Sequence, residues 1–328
     1  MTDIAVIGGG AAGAAVFGEL LRRRDYRTIH WVVGQRPLGR GVAYATDDDD
    51  HLLNVRAGGM GVFMEQDEDF VQHASRQRTE IKGTDFLPRR FFGDFVEAQM
   101  RAHIERARQQ GRSFAIHEGF ARAIHRRDGG YEVILDGGES LPVGAAVLAV
   151  GALAQRPLRT VSAEALASNA YELDPWRLGE HGREPRRVLV IGTGLTAVDT
   201  LISAAKRWPR AELTAVSRHG LLPYTHPASL CEPYRHQAEL NERLLACDNV
   251  FAMLGLIREA MDEAADWRGV IDGMRPVNAC LWQALAHKER KRFLRHLRWV
   301  WESSRHRMAP ATAAAIRQLR ESGRLRVR

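Results

Sequence analysis

The chain has little cysteine, almost no lysine and no apolar run long enough to span a bilayer, and each shortage removes a class of protein. Its three cysteines, Cys231, Cys247 and Cys280, stand 16 and 33 residues apart, with no Cys-x-x-Cys pair and no histidine at zinc spacing. A disulfide scaffold, a redox dithiol and a structural zinc site are therefore poor readings, and no metal ligands are assigned. So sparse and odd a count suits buried free thiols in a reducing cytoplasm. The longest charge-free stretches, Ile4 to Gly18 and Ser140 to Gln155, are broken by glycine and too short for a transmembrane helix. Asp3 precedes the first apolar run and Gly8-Gly9-Gly10 interrupts it, so the start reads as structure rather than as a leader.

What is present is ordinary for a soluble globular protein: 328 residues, 45% hydrophobic and 27% charged, enough for about two domains. Charge is unevenly placed, because residues 286–328 carry 13 Lys or Arg against 3 acidic residues, leaving 34 against 37 in the rest. A +10 segment thus follows a −3 body. Phe293, Leu294, Leu297, Val300 and Trp301 fall at helical spacing within Lys288 to Trp301, which predicts one amphipathic helix packed on a core. Nucleic acid or another acidic partner for this segment is the alternative, nucleic acid being the disfavoured one; because arginine outnumbers lysine 43 to 4 throughout, arginine richness by itself says little about partners.

Hydrophobic patterning predicts strand, helix, strand over residues 3–7, 11–24 and 28–33. A glycine-rich polar insertion follows at 34–61, then helical segments at 67–77 and 92–109, and strands near 114–116, 131–135 and 146–150. Residues 155–186, rich in Arg, Pro, Ser and Glu, mark a boundary. The pattern then repeats as strand 187–191, helix 195–208 and strand 212–217, with mostly helix over 238–302 and 311–321 and an unpartnered strand start at 324–328.

Each strand-helix-strand unit carries a glycine fingerprint at its first turn. Gly8-Gly9-Gly10-Ala11-Ala12-Gly13 is Gly-x-Gly-x-x-Gly, where the first glycine permits the turn, the second lets a pyrophosphate approach, and the third packs helix on strand. The acidic residue expected at the end of the second strand, where it would hold ribose hydroxyls, is Val33, with Gln35 and Arg36 as nearby substitutes. The second unit reads Gly192-Thr193-Gly194-Leu195-Thr196-Ala197, an allowed variant, and its next strand ends in Ser217-Arg218. A guanidinium there suits a 2′-phosphate and favours NADP over NAD. Two such folds in one chain imply a flavin and a nicotinamide nucleotide, hence hydride chemistry.

Several further blocks carry a family resemblance. Gly39-Arg40-Gly41-Val42-Ala43-Tyr44, His51-Leu52-Leu53-Asn54-Val55-Arg56-Ala57 with Met60, Pro88 to Phe95, Leu148-Ala149-Val150-Gly151, Tyr171 to Trp176, Ser217 to Pro223, and Trp301 to Pro310 follow one another along the chain. Together they resemble the bacterial FAD/NAD(P)-binding proteins grouped with FAD-dependent urate hydroxylase-like enzymes. The resemblance implies an α/β fold of two Rossmann-like domains on the glutathione-reductase-like two-dinucleotide plan: an FAD-binding domain with an insertion at 1–160 and an NAD(P)-binding domain with a helical extension at 186–328. It implies FAD at Gly8, Gly10, Ala12 and Gly13, with Asn54 and Gly151 near the flavin, and NADPH at Gly192, Gly194, Thr196, Ser217 and Arg218. Val33, Arg56, Gly61 and Phe92 depart from the group's usual Glu, Pro, Ser and Tyr. The group's chains normally return to the FAD domain with a last strand and helix, so the FAD half is expected to be incomplete, through shortening or completion by a partner.

The expected activity is that of a cytoplasmic FAD- and NAD(P)H-dependent oxidoreductase, a monooxygenase passing hydride from NADPH to FAD and electrons on to O2 and a small-molecule substrate. Asn54, Arg89, Arg90 and His226 are candidate polar groups for the cleft, and no catalytic acid or base is assigned. A non-catalytic nucleotide-binding relative is the main rival, while a disulfide reductase lacks its cysteine pair. Asp47 to Asp50 read as solvated loop carboxylates rather than a cation site. Substrate and oligomeric state are not legible.

Overall fold

In the computed structural model, which describes residues 1–64, 69–151, 156–168, 170–180 and 184–328, contacts divide the chain into two units, Met1–Asp174 and Pro175–Arg328. In the first, β1 (Ile4–Ile7) leads into α1 (Ala11–Arg22) and β2 (Ile29–Gly34). Then come α2 (Phe70–Ser75), α3 (Arg89–Gln109), β3 (Phe114–Glu118), β4 (Ala121–Arg127), β5 (Gly130–Leu135), β6 (Ser140–Val143), β7 (Ala145–Leu148) and α4 (Ala163–Ala167). The α2 helix is the described part of the expected 67–77 helix, whose start lies outside the described residues; Asp69 caps it by accepting from Gln72 N.

A parallel sheet in the order β3-β2-β1-β7 carries the unit, and a separate antiparallel meander runs β4-β5-β6. All four residues of β1 are buried, because Ile4 and Val6 meet the helix-side core of Phe17, Trp31, Phe95 and Met100 while Ala5 and Ile7 meet Val133, Leu141 and Val143 of the meander. A strand covered on both faces reads as an unbroken apolar run, which is how the sequence presents it. Phe17 stacks on Trp31 with ring centroids 4.6 Å apart, fixing α1 over β2. Two strands escaped the sequence reading: β4 is arginine-rich with an exposed end, and β6 is four residues long and contains Pro142.

The second unit begins β8 (Arg187–Ile191), α5 (Leu195–Arg207) and β9 (Glu212–Val216). Six helices follow, α6 (Gln237–Leu245), α7 (Val250–Glu263), α8 (Trp267–Gly273), α9 (Asn278–Ala284), α10 (His287–His296) and α11 (Arg298–Arg305), then α12 (Pro310–Glu321) and β10 (Leu325–Val327). Its sheet is parallel in the order β10-β9-β8, with α5 and α12 supplying Val198, Leu201, Ala313 and Ile316 to its core. The strand start at 324–328 therefore has a partner, in register Leu325 with Leu213, and Arg328 N donates to Ala215 O at 2.9 Å. The single amphipathic helix expected over Lys288 to Trp301 is two helices divided at Leu297, and only Phe293, Leu297 and Trp301 of its stripe pack on a core; Leu294 and Val300 are exposed. The cysteines are free but not buried, Cys280 being exposed and the other two partly so.

One ion pair ties down the start of the first unit. Arg27 donates to both oxygens of Asp3 at 2.9 Å, and Thr28 N donates to Asp3 Oδ1 at 3.0 Å. Hydrogen bonding from Arg27 holds the Asp3 carboxyl down at about 2, against an ordinary 3.8. A carboxylate so depressed stabilises the fold fully above its unfolded value and loses that contribution as pH falls through its folded one. Asp3→Asn is therefore expected to lower Tm at pH 6, with the gap to wild type closing between pH 4 and pH 2; thermal melts across that range check it.

Candidate functional site

Between Ile7 and Ala11 the chain must turn from strand into helix within three glycines. Gly8 has φ +126°, and a Cβ on it would lie 2.1 Å from Ala149 O at the end of β7. A Cβ on Gly9 would lie 2.0 Å from Val33 O, and one on Gly13 1.8 Å from Gly8 O. No side chain fits in any of these places, so packing within the unit demands all three glycines. Trp31 Nε1 donates to Gly8 O at 2.9 Å, locking the turn to β2.

Gly10 differs. It is the N-cap of α1 with an ordinary φ of −82°, no side chain caps the helix, and no acidic residue stands in its first turn. The nearest atom to a Cβ there is Gly41 Cα at 3.5 Å, a normal contact. Serine or aspartate would cap this helix better, so glycine at 10 serves neither backbone nor packing. It keeps the helix N-terminus, with its N–H groups and positive dipole end, open to an approaching anion.

The same arrangement recurs on α5. Gly192, at φ +123°, requires glycine for conformation, whereas Gly194 is an uncapped N-cap at φ −77°. Nothing lies within 4 Å of a Cβ at either position. Gly10 and Gly194 are thus equivalent: each leaves a cradle that a methyl group would fill, which fits the pyrophosphate of a dinucleotide.

Around these turns the sequence-derived residues sort by unit. Gly8, Gly10, Ala12, Gly13 and Gly151 gather at the carboxyl ends of β1 and β7, where Ala149 N donates to Ile7 O at 2.8 Å; Ala12 and Gly151 are exposed, the latter at φ +65°. Half-buried Asn54 sits on a strap that runs against residues 83–89, with Leu53 N donating to Leu87 O and Arg89 N to His51 O, each at 2.8 Å. In the second unit Gly192, Gly194, Thr196, Ser217 and Arg218 gather at the carboxyl ends of β8 and β9. Ser217 Oγ accepts from Thr193 Oγ1 at 2.9 Å and from Gly220 N at 3.0 Å, leaving its own proton to donate. Thr196 and Arg218 are exposed, and among the described residues nothing pairs with the Arg218 guanidinium.

The ribose position of the first unit holds no carboxylate: Val33 is buried, and Gln35 and Arg36 beyond it are exposed. Arg89 Nε donates to Leu52 O at 3.2 Å, and Arg90 pairs with Asp49 while lying 4.7 Å over the Phe91 ring. His226 N donates to Met308 O at 2.9 Å. Asp48 Oδ1 accepts from Asp50 N at 3.1 Å, so Asp48 to Asp50 form a bonded turn, and no group of metal-ligating side chains occurs among the described residues.

One residue of the first site went unassigned in the sequence reading. Arg40 donates to Asp94 at 2.5 Å and to Glu97 at 2.9 Å, clamping the Gly39–Tyr44 loop to α3. Gly39 N donates to Gly9 O at 2.8 Å, and Gly41 lies against Gly10, so the clamp places this loop beside the glycine turn. The signal was an arginine between two glycines, with its carboxylates at i and i+3 of a later helix; nothing in the sequence links the two segments.

Comparison with known proteins agrees with this geometry. Residues 5–153 match the FAD-NAD(P)-binding family model, so the first unit carries an FAD/NAD(P)-binding domain. No curated protein matches the chain. Among solved structures, lysine monooxygenase NbtG from Nocardia farcinica is similar at a TM-score of 0.51 and 14% identity, covering 99% of this chain and 70% of that one. A flavin monooxygenase from Stenotrophomonas maltophilia aligns at 0.48 and 15% identity over 70% of this chain, which spans 61% of that protein's length. At such identities the likeness to NbtG is one of fold: mixed α/β units with parallel sheets, as in flavoproteins that bind FAD and NAD(P).

The glycines divide into testable groups. Gly13→Ala, forced against Gly8 O, is expected to unfold or strongly destabilise the chain. Gly10→Ala and Gly194→Ala should cost about 1 kcal/mol or less while weakening dinucleotide binding at least tenfold. Thermal melts beside equilibrium dialysis with FAD and NADP+ check both halves.

Proposed function

We propose that the chain is an FAD-dependent NAD(P)H oxidoreductase of the urate hydroxylase-like kind, a monooxygenase of a small molecule, with FAD on residues 1–160 and NADPH on residues 186–328. The observation that carries this reading is the pair Gly10 and Gly194, two N-cap glycines that neither conformation nor packing explains. The match of residues 5–153 to the FAD-NAD(P)-binding family supports the first half. For the second half, the support is the repeated fingerprint and an unpaired Arg218 at the 2′-phosphate position.

FAD supplies the two-electron redox chemistry when bound; the chain supplies its placement. Gly10 and the first-turn N–H groups of α1 hold the FAD pyrophosphate, the Arg40-clamped loop stands beside it, and Asn54 and Gly151 face the flavin. With Val33 at the ribose position, Gln35 and Arg36 are the polar groups left to meet the ribose. Thr196 and the first-turn N–H groups of α5 hold the pyrophosphate of NADPH, Ser217 donates to its ribose, and Arg218 takes its 2′-phosphate. O2 is the electron acceptor in this reading. The free, unpaired cysteines suit a cytoplasmic protein, and no helix among the described residues is long and apolar enough to cross a membrane. A second reading, a nucleotide-binding protein without turnover, is favoured by the buried Val33 alone.

Anaerobic absorbance spectroscopy of the chain loaded with FAD separates the two. Turnover predicts a flavin band bleached faster by NADPH than by NADH. Arg218→Ala is expected to erase that preference, raising the Kd for NADPH roughly 10–100-fold and leaving NADH nearly unchanged. A flavin band that neither nucleotide bleaches supports the second reading.

A further inference from the structure

Two distant stretches of the second unit are joined by main-chain bonds: Tyr224 N donates to Ser303 O at 3.0 Å, Met308 N to Tyr224 O at 2.7 Å and His226 N to Met308 O at 2.9 Å. This junction brings the loop after β9 to the end of α11, and α11 packs on α8. Four arginines belong to it. Arg268 donates from Nε to Thr225 O at 2.9 Å and pairs with Asp266 at 3.1 Å. Arg307, only 1% exposed, sends Nη2 to both oxygens of Asp272 at 2.5 and 2.6 Å, while its Nε and Nη1 are buried without a partner. Half-buried Arg305 and exposed Arg275 form no ion pair among the described residues.

The charges do not balance. Four guanidinium groups share two carboxylates: Asp266 and Asp272 pair with Arg268 and Arg307, and Arg275 and Arg305 have no ion pair of their own among the described residues. Burial, then the like charge of Arg275 and, more weakly, of Arg307, push the Arg305 guanidinium below its ordinary value, and the Asp272 carboxylate offsets only part of this. Buried N–H groups of a guanidinium left without acceptors are rare in native proteins and point to a bound group. Trp267 forms one wall: its ring lies 4.8 Å from the Arg268 guanidinium carbon and 5.8 Å from that of Arg307, with Tyr224 edge-on at 5.3 Å.

We propose that Arg275, Arg305 and Arg307 form an oxyanion-binding site, walled by Trp267, that takes the carboxylate or phosphate group of a small molecule. Guanidinium forks match the geometry of either oxyanion. Arg218 is not one of its residues and the site needs neither flavin nor nicotinamide nucleotide, so it stands or falls apart from the redox reading.

The test titrates the full chain with inorganic phosphate and, separately, with benzoate, at ionic strength held constant with sodium chloride, reading Tm and tryptophan fluorescence. A saturable rise in Tm with either probe is expected, and the probe that gives it identifies the oxyanion. The Arg275→Gln/Arg305→Gln variant is expected to bind at least tenfold more weakly, yet to melt no lower than wild type without anion, because a like-charge repulsion has been removed. Arg218→Ala is expected to bind the probe as wild type does. The proposal is overturned if neither probe acts beyond chloride, or if the double variant binds the probe as tightly as wild type.

Discussion

The first unit depends on how closely α1 can lie against β1. At Gly13 the helix backbone comes so near the Gly8 carbonyl that a Cβ would sit 1.8 Å from its oxygen, and the Trp31 indole bonds that same oxygen. The approach sets α1 in line with the end of the strand, which delivers its uncapped N-terminus to the carboxyl edge of the sheet. In an open α/β sheet that edge is where ligands bind. Burial of β1 on both faces then fixes the strand itself, with the helices and α3 on one side and the meander on the other.

The second unit reaches the same outcome by a looser route. Ala197 stands where Gly13 stands in the first, and nothing in the fold crowds Gly192 or Gly194. Its turn is held from the side instead, by Thr193, Ser217 and Gly220 in one chain of hydrogen bonds and by Arg328 on β9. The two units also differ at the ribose end, where one offers a buried valine and the other an exposed, unpaired arginine. In the proposed reading, this difference in charge is what would let two similar folds prefer different dinucleotides.

How much of this was legible depended on where the determinants lay along the chain. Both strand-helix-strand units were legible because their pattern is local: an apolar run, a glycine turn, a helix and another apolar run. The β4 strand was not, because four of its seven residues are arginine or histidine. Nor was the partner of β10, since Leu325 pairs with a strand more than a hundred residues earlier. The division at Leu297 has no glycine or proline to announce it. At the site, the fingerprint glycines were legible, but only the structure separates Gly8, Gly9 and Gly13, which the fold needs, from Gly10, which it does not. Long-range partners were likewise hidden, as in the Arg40 clamp on Asp94 and Glu97 and the Arg307 pair with Asp272.

The central claim is that two uncapped helix N-termini hold two different dinucleotides at once. Isothermal titration of the chain with FAD, then of the FAD-loaded chain with NADP+, tests it most directly. The account predicts one equivalent of each, with FAD retained as NADP+ binds. Displacement of one by the other, or saturation by a single equivalent in total, would contradict it.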